Sequence, residues 1–356
     1  MLRCTPVSFL LLTVTVPAQN VREINDNSMC KACQLTLTRV ARLGNPSDPE
    51  LLVDHISVVH LHDAFFASGT IPRDKVLVFD RNGHYQQAWG RQGSGPGEFR
   101  SILRLAELNR DSLVIFDHDL GRASIFTIAG KFMRSFPVPT RFIDVDGAPG
   151  DAWVISAAIP AAGRVGLPLH LISPSGDRVR SFGADGPVFQ SRPSASQRVI
   201  GRTGNGVWSA RPDRYELEFW TFEGARTAIL DRKAPWFPDR EIEGAVNSAR
   251  ERPHPWLTDV FSDSSELVWT LCRVADQNWR PATESGRMTA RDKFYDTIVE
   301  VIDPVSGQLL GSQRLPGYAH FFTNDGLVVT HQEGEEGIML IDVWRPSLKR
   351  LRREQP

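Results

Sequence analysis

The sequence contains none of the short motifs that identify a catalytic centre. It has no H-E-x-x-H zinc pair, no G-x-S-x-G nucleophile elbow and no phosphate-binding P-loop. It also has no excess of charge of one sign, since the formal net charge is −1. Nucleic-acid binding requires a clustered basic surface, and the sequence therefore predicts no nucleic-acid partner. These absences favour a protein that is not an enzyme.

The sequence lacks an apolar run long enough to cross a bilayer, which takes about 20 residues. Its N-terminal apolar run, residues 6–16, follows a positive charge at Arg3 and precedes Val16-Pro-Ala18. This three-part pattern is typical of a secretory signal peptide, and we predict cleavage after Ala18. The alternatives are a poorly packed N-terminal strand and a lipoprotein anchor, although Cys4 precedes the apolar run and a lipid-modified cysteine should follow it. The pattern predicts an exported protein, periplasmic or extracellular, with no transmembrane segment.

Cysteine is scarce, and the three that follow the predicted signal peptide are Cys30, Cys33 and Cys272. An odd number leaves at least one thiol free or paired outside the chain. The C-x-x-C pair favours a local disulfide between Cys30 and Cys33 in an oxidising compartment. Half a zinc site and a redox pair are the alternatives, although a second cysteine pair for zinc is missing and the following residues 34–38 suggest a strand instead of a helix.

Glycine, in contrast, is plentiful and periodic. A β-rich run that ends in a turn glycine recurs at Gly83, Gly130, Gly176 and Gly224, at intervals of 47, 46 and 48 residues. A further copy ends at Gly307, 83 residues later. Hairpin turns of this kind end at a residue that needs a positive φ, which explains the glycine.

An earlier β-branched strand precedes each of these runs, and four short strands in about 47 residues make one blade of a β-propeller. A long β-sandwich is the alternative. The 83-residue interval is one blade with an insertion of about 35 residues. The extra length fits residues 231–254, where 239–251 have helical composition, and the polar residues 276–292.

The spacing also predicts how the ring closes. Residues 35–43 form a strand whose terminal Gly44 precedes Gly90 by 46 residues, one period. We therefore predict that this N-terminal strand completes the sixth blade by antiparallel pairing with residues 338–343. Residues 348–353 are the rival for that position. The predicted organisation is a signal peptide at 1–18, an N-terminal segment with the C-x-x-C pair at 19–34, and a six-bladed propeller at 35–356.

Residues 90–99 (G-R-Q-G-S-G-P-G-E-F) lie between the first two units and resemble the blade junction of NHL-type β-propellers. With the strand-turn run at 76–83 and the C-x-x-C pair before the closing strand, the chain resembles exported bacterial six-bladed propellers of the NHL-like class. The resemblance implies an all-β scaffold. Such families include binding modules, lyases and lactonases, so fold alone does not settle function.

Two groups of polar residues are candidates for the channel at the centre of the ring. Arg104, Asp144 and Asp259 begin strands and are predicted to face its mouth, although buried salt bridges or solvated turns explain them equally well. The second group is an alternative metal site for a divalent ion, formed by His60, His62 and His320 with His331 nearby. Otherwise we predict no cofactor.

Tryptophan supplies the candidate recognition surface. Residues that recur in strands are expected to pack between blades, whereas Trp236, Trp256 and Trp279 lie in or beside the two insertions, where loops tend to carry function. We predict that both insertions emerge on one face. The leading hypothesis is an exported binding module for a protein, peptide or small-molecule ligand. The alternative is a metal-dependent lyase or lactonase-like enzyme acting at the channel.

Overall fold

The computed structural model describes residues 20–45, 47–48, 52, 56–69, 71–138, 142–157, 159–161, 164–184, 197–238, 251–281, 294–333 and 339–351. The predicted signal peptide at 1–18 lies outside these residues. So do 239–250, which carry most of the predicted helical insertion, and 282–293 of the second insertion. No described helix is long and apolar enough to cross a membrane.

The described residues form a six-bladed β-propeller, as the repeat predicts. Two N-terminal strands come first, β1 (Asn20–Asn25) and β2 (Cys33–Leu43), separated by the short 3₁₀ turn Asp26–Ser28. Blade 1 follows with β3 (Ser57–Leu61), β4 (Ala64–Ser68), β5 (Val76–Asp80) and β6 (Tyr85–Trp89). Blade 2 has β7 (Ile102–Asn109), β8 (Ser112–Asp117), β9 (Arg122–Thr127) and β10 (Phe132–Pro137).

The other four blades repeat this order, from an innermost to an outermost strand. Blade 3 contains β11 (Phe142–Ala148), β12 (Ala152–Ala157), a small hairpin of β13 (Pro160–Ala161) and β14 (Arg164–Val165), β15 (Leu169–Ile172) and β16 (Arg178–Phe182). Blade 4 contains β17 (Val199–Arg202), β18 (Gly206–Ala210), β19 (Glu216–Thr221) and β20 (Arg226–Lys233). Blade 5 contains β21 (Trp256–Ser262), β22 (Val268–Ala275), β23 (Tyr295–Asp303) and β24 (Gln308–Pro316). Blade 6 contains β25 (Tyr318–Phe322), β26 (Val328–Glu333) and β27 (Met339–Arg350), with β2 outermost.

The core is a ring because each blade packs against two neighbours. Among the described residues, buried apolar side chains form six clusters, one between each pair of adjacent blades. A second strand such as β8 is buried along its whole length, since both of its faces are covered. This explains why its sequence, S-L-V-I-F-D, reads as an apolar run and does not alternate. The turn glycines Gly83, Gly130, Gly176, Gly224 and Gly307 all have positive φ, as predicted.

The N-terminal strand closes the ring in the predicted way. β2 pairs antiparallel with β27, with Leu43 opposite Ile341 and Ala41 opposite Val343. The rival assignment of residues 348–353 is wrong, because β27 continues through Arg350 and its terminal residues pair with the start of β2. Apolar side chains in the C-terminal half of β2, Ala41 and Leu43, complete the cluster between blades 6 and 1. β2 thereby pairs with the outer edge of β27, which would otherwise be open.

The strand β1 was not predicted. It pairs in parallel with β20 and adds a fifth strand to blade 4, with Asn20 opposite Ala228 and Asn25 opposite Lys233. The chain then crosses the outside of blade 5, where Cys30 N donates to Leu309 O at 2.8 Å. Residues 20–43 therefore span three blades, and we call them the N-terminal strap. Within it, Cys30 and Cys33 form a disulfide with Cα atoms 5.3 Å apart, whereas Cys272 is a buried free thiol.

The glycine-rich junction between blades 1 and 2 is held by its own charged residues. Gly90 has a φ of +92°, and a Cβ there would lie 2.7 Å from Asp74 O and 2.8 Å from the Phe99 ring. The Glu98 carboxylate accepts backbone N–H bonds from Ser94 and Gly95. On the other side, the Arg122 guanidinium donates to three junction carbonyls, those of residues 94, 95 and 98. The motif is thus a structural crossing, with its polar groups satisfied locally.

Candidate functional site

A cavity of about 530 Å³ occupies the centre of the ring. It is lined by the innermost strand of every blade, mostly toward the carboxyl ends of these strands. We call this end of the propeller the channel face. The opposite end, where β20 and β22 end and β21 and β23 begin, is the insertion face. A cavity built from six rigid strands is the place where a propeller presents side chains from all blades to one ligand.

Arg104 reaches across the middle of the channel. Its Nη2 donates to Asp144 Oδ1 of blade 3 at 2.5 Å, and its guanidinium lies 5.2 Å from the ring centroid of Phe321 in blade 6. Burial lowers the Arg104 pKa, but the carboxylates of Asp144 and Asp259 raise it by more, and the net shift is upward. Arg104 therefore forms a charged pair with Asp144, and the Phe321 ring covers one side of its guanidinium.

Asp144 and Asp259 join adjacent blades through backbone N–H groups. Asp144 Oδ2 accepts from Ile200 N of blade 4 at 3.0 Å, and Asp259 Oδ2 accepts from Phe322 N of blade 6 at 2.6 Å. Burial, reinforced by the nearby Asp144 carboxylate, raises the pKa of Asp259 well above its ordinary value. The channel therefore has more carboxyl groups than Arg104 can pair with, and the Asp259 carboxyl favours its protonated, neutral form.

Asp146 and Arg202 lie at the mouth, on blades 3 and 4. Asp146 accepts backbone bonds from Gly147 N at 2.7 Å and Arg202 N at 2.8 Å. Burial, with a further contribution from Asp144, raises the pKa of Asp146 to about 6. The Arg202 side chain is exposed and lies against Gly147, where a Cβ would come within 2.5 Å of Nη1. Glycine at 147 therefore gives the guanidinium room at the mouth.

Asn324 connects three blades at the same level. Its Oδ1 accepts from His60 N and its Nδ2 donates to His60 O, both at 2.9 Å, which fixes blade 6 to blade 1. The same Nδ2 donates to Glu107 Oε2 of blade 2 at 2.9 Å. Glu107 is thus held in one orientation, and its Oε1 makes no hydrogen bond within the described residues.

The structure brings together the three charged residues that the sequence analysis placed near the channel. Arg104 and Asp144 form an ion pair, and Asp259 lines the same cavity. Sequence reasoning missed Glu107, Asp146, Arg202 and Asn324. Their signal was a polar residue near the carboxyl end of an innermost strand, a position that can be recognised only after the blades are assigned.

The three histidines of the alternative metal site, His60, His62 and His320, do not converge. His60 Nδ1 bonds Asp325 Oδ2 at 2.7 Å and His62 Nε2 bonds Asp111 Oδ1 at 3.2 Å, both near the channel face. His320 instead contacts His331 at 2.5 Å beside Tyr318, toward the insertion face. Across the described ranges, no group of three or more His, Cys, Asp or Glu residues is arranged to hold a metal ion.

The three candidate tryptophans lie toward the insertion face and are half-buried. Trp236 packs on Tyr215 and Phe237, with centroid distances of 5.8 and 5.9 Å. Trp256 pairs with Arg273 across β21 and β22, and its ring centroid lies 5.8 Å from the guanidinium. The indole Nε1 of Trp279 is buried without a hydrogen-bond partner in the described part of the chain.

In blade 5, β21 begins, β22 ends and β23 begins at the same end of the sheet. Trp256 at the start of β21 is opposite Arg273 near the end of β22, and Ala275 is opposite Tyr295 at the start of β23. The connections before β21 and between β22 and β23 therefore leave from the same edge of the sheet. Three aromatic rings at this edge, those of Trp256, Tyr295 and Tyr318, surround the Arg273 guanidinium, which lies 4.6 Å from the Tyr295 centroid.

Comparison with known proteins agrees on the fold. No family model matches the sequence, and no curated protein matches it significantly. Among solved structures, a protein from Bacteroides fragilis that carries the provisional name of exported protein has a TM-score of 0.58 at 10% identity, over 92% of this chain and 100% of that one. A member of the DUF4221 family from Bacteroides vulgatus has a TM-score of 0.60 at 10% identity, over 88% and 99%.

A more distant match is virginiamycin B lyase from Staphylococcus aureus, with a TM-score of 0.46 at 10% identity over 87% of this chain and 99% of the lyase. At such identities the likenesses show the fold alone. The fold of the chain is similar to those of the two Bacteroides proteins over nearly its whole length and over nearly all of theirs.

Proposed function

We propose that this propeller is an exported binding module that holds a small polar ligand in the mouth of its central channel. The observation that carries the proposal is the cavity of about 530 Å³. All six blades contribute residues to its lining, and several of these residues are charged. Small-molecule sites typically measure about 300–1,000 Å³ and combine a concave shape with a few convergent polar groups.

The polar groups of the channel are held in place before any ligand arrives. Asp144, Asp259 and Asn324 each bond the backbone of a neighbouring blade, so their rotamers are fixed by the ring itself. Binding to such a site costs little side-chain ordering, which favours affinity for a small ligand. The tryptophans of the insertion face remain a second predicted recognition surface, which would suit a larger partner.

Export is the second part of the proposal. It is supported by the pattern at residues 1–18, by the disulfide between Cys30 and Cys33 in the strap, and by the provisional name of the Bacteroides fragilis relative. We also propose kinship with NHL-type propellers, supported by the junction at residues 90–99. A periplasmic or extracellular location predicts that the purified mature chain begins near Gln19, which N-terminal sequencing tests.

The alternative is a metal-dependent lyase or lactonase-like enzyme acting at the channel. The charged residues Arg104, Asp144 and Asp259 favour chemistry at this place if any occurs. Metal analysis of the purified protein separates the two: a stoichiometric, tightly held divalent ion favours the enzyme, and a metal-free protein that binds a ligand favours the module.

The channel proposal is tested by blocking the mouth. Ser264 is exposed and lines the cavity, whereas its exposed neighbour Ser265 does not. We would screen the wild type by thermal shift against amino acids, short peptides, monosaccharides, dicarboxylates and diamines. Compounds that stabilise the wild type and Ser265→Trp, but not Ser264→Trp, support a channel site. If every hit persists in Ser264→Trp, or if no compound stabilises the wild type, the channel proposal fails.

A further inference from the structure

Most charges in the channel are already engaged with the protein. Arg104 is paired with Asp144, and the carboxylates of Asp144, Asp146 and Asp259 each accept two backbone N–H bonds. These groups build the ring and are costly to redirect, because a ligand that displaced them would leave buried N–H groups unpaired. The groups left for a ligand are therefore few.

Two side chains of opposite sign keep unused hydrogen-bonding capacity at the mouth. Glu107 of blade 2 is anchored through Oε2 by Asn324, which leaves Oε1 unbonded. The Arg202 guanidinium of blade 4 lies against Gly147 and makes no hydrogen bond to any described residue. The backbone N–H of Arg202, in contrast, is committed to Asp146. Both residues line the cavity, and blade 3 separates them.

A ligand that satisfies both groups must itself carry both charges. An anion alone would face the Glu107 carboxylate, and a cation alone would leave the Arg202 guanidinium without a hydrogen-bonded anion, since its neighbour Asp146 is bonded to backbone N–H groups. A metal ion is disfavoured, since the described donors do not converge on one point. An ammonium can accept no hydrogen bond and a carboxylate can donate none, so each ligand group has one suitable end of the site.

We infer that the channel mouth binds a zwitterion with a free ammonium and a free carboxylate, which is an amino acid or a short peptide. The inference rests on the proposed function and assigns its ligand class. Glu107 receives the ammonium, and Arg202 receives the carboxylate in the forked geometry that guanidinium groups favour.

The test uses the full mature chain and calorimetric titration with alanine, alanyl-alanine, N-acetyl-alanyl-alanine and alanyl-alanine amide. The first two carry both charges, the third lacks the ammonium and the fourth lacks the carboxylate. We expect the blocked dipeptides to bind about 10–100-fold more weakly than the free dipeptide, the effect of losing a hydrogen bond to a charged group. Comparison of alanine with alanyl-alanine separates an amino-acid site from a peptide site.

Two variants assign each charge to its receptor. Glu107→Gln keeps an acceptor for Asn324 but loses the charge. It should therefore weaken binding of the free dipeptide and of the amide and leave the affinity for the N-acetyl dipeptide unchanged. Arg202→Gln keeps its backbone bond to Asp146. It should weaken binding of the free and N-acetyl dipeptides and leave the affinity for the amide unchanged. The controls Arg178→Gln and Glu251→Gln, exposed charges outside the cavity lining, should bind as the wild type does.

The outcomes separate this inference from the proposed function. If blocked and free dipeptides bind equally, or if neither alanine nor alanyl-alanine binds while other screened compounds are lost in Ser264→Trp, the zwitterion assignment is wrong and the channel site stands. If the free dipeptide binds but Ser264→Trp does not affect it, both fail. The assignment is supported if both charge variants bind the free dipeptide more weakly. In addition, Glu107→Gln must weaken binding of the amide only, and Arg202→Gln must weaken binding of the N-acetyl dipeptide only.

Discussion

The side chain of Asn324 in blade 6 donates from Nδ2 to Glu107 Oε2 in blade 2 at 2.9 Å, across the mouth of the channel. The same amide also bonds both backbone groups of His60 in blade 1. One residue therefore ties together the last blade and the first two. Because the bonds go to backbone and to a carboxylate, no other side chain of similar size supplies the same set.

We expect Asn324→Ala to lower the free energy of unfolding by about 1–3 kcal/mol, because it leaves the part-buried His60 N–H and the Glu107 carboxylate without their partner. The measurement is equilibrium denaturant unfolding. Asn82→Ala is a suitable control, since the Asn82 side chain is exposed in a hairpin turn and only its backbone is bonded. Equal stability of the two variants would show that Asn324 does not join the blades.

The buried Arg232–Glu300 pair between blades 4 and 5 should be among the most sensitive positions. Arg232 makes two bonds to Glu300, at 2.8 and 2.9 Å, and one to Asp26 of the strap at 2.6 Å. Arg232→Met leaves a buried carboxylate unpaired, and we expect a loss of about 3–5 kcal/mol in unfolding free energy. The double variant Arg232→Met/Glu300→Gln should recover part of it. A double variant no better than the single one would contradict the charge explanation.

The carboxyl group of Asp146 should make the protein less stable as pH rises from about 4 to 6. Its pKa is raised to about 6 in the folded protein, above the ordinary value of 3.8, chiefly by burial. The folded state then binds more protons than the unfolded state in this window, so stability falls with pH, by up to about 3 kcal/mol. The measurement is the unfolding free energy of each variant across this pH range. Asp146→Asn should lack the decrease in stability, and Asp63→Asn, on an exposed turn, should retain it.

His170 should act in the opposite direction. It is buried, its Nε2 donates to Ala157 O at 3.2 Å, and its Nδ1 lies 2.8 Å from the Ser181 hydroxyl, from which it accepts in the neutral ring. Burial lowers its pKa from 6.5 to about 4. Stability is therefore lost as pH falls from about 6.5 to 4, by up to about 3 kcal/mol. We expect His170→Leu to remove this loss, while His84→Gln, at an exposed histidine, leaves it intact.

The disulfide of the strap should be structural, with no catalytic part. Cys33→Ser opens a loop of only four residues, so we expect a modest loss of about 2 kcal/mol in unfolding free energy. Insulin-reduction activity should be absent in both the wild type and the variant. Activity in the wild type that Cys33→Ser abolishes would contradict this expectation.

The ring architecture could be predicted because its signals are local. A hairpin glycine such as Gly130 needs a positive φ wherever it occurs, so its spacing reports the blade period directly. The offset between Gly44 and Gly90 predicted closure in the same way. The pairing of β1 with blade 4 carries no such signal, since its single buried apolar residue, Ile24, occupies the cluster between blades 4 and 5.

The channel was predictable only in part. Charged residues stand out in apolar strands, and Arg104, Asp144 and Asp259 were recognised for that reason. Their partners were not, because Asp259 bonds a backbone group 63 residues later and Asn324 bonds a side chain 217 residues earlier. Such pairs depend on which blade neighbours which in the finished ring. The free capacity of Glu107 and Arg202 depends in turn on those pairs.

The closure of blade 6 also constrains the order in which the chain can fold. The segment 33–43 is synthesised early, but its partner β27 is among the last strands made, and the bonds from Arg42 to Asp342 span 300 residues. Until β27 arrives, the early segment has no sheet to join, and blade 6 exposes an open edge. The polypeptide therefore must emerge almost entirely before the ring can close, so closure is a late, long-range step and the slowest contacts to form are those between the two ends.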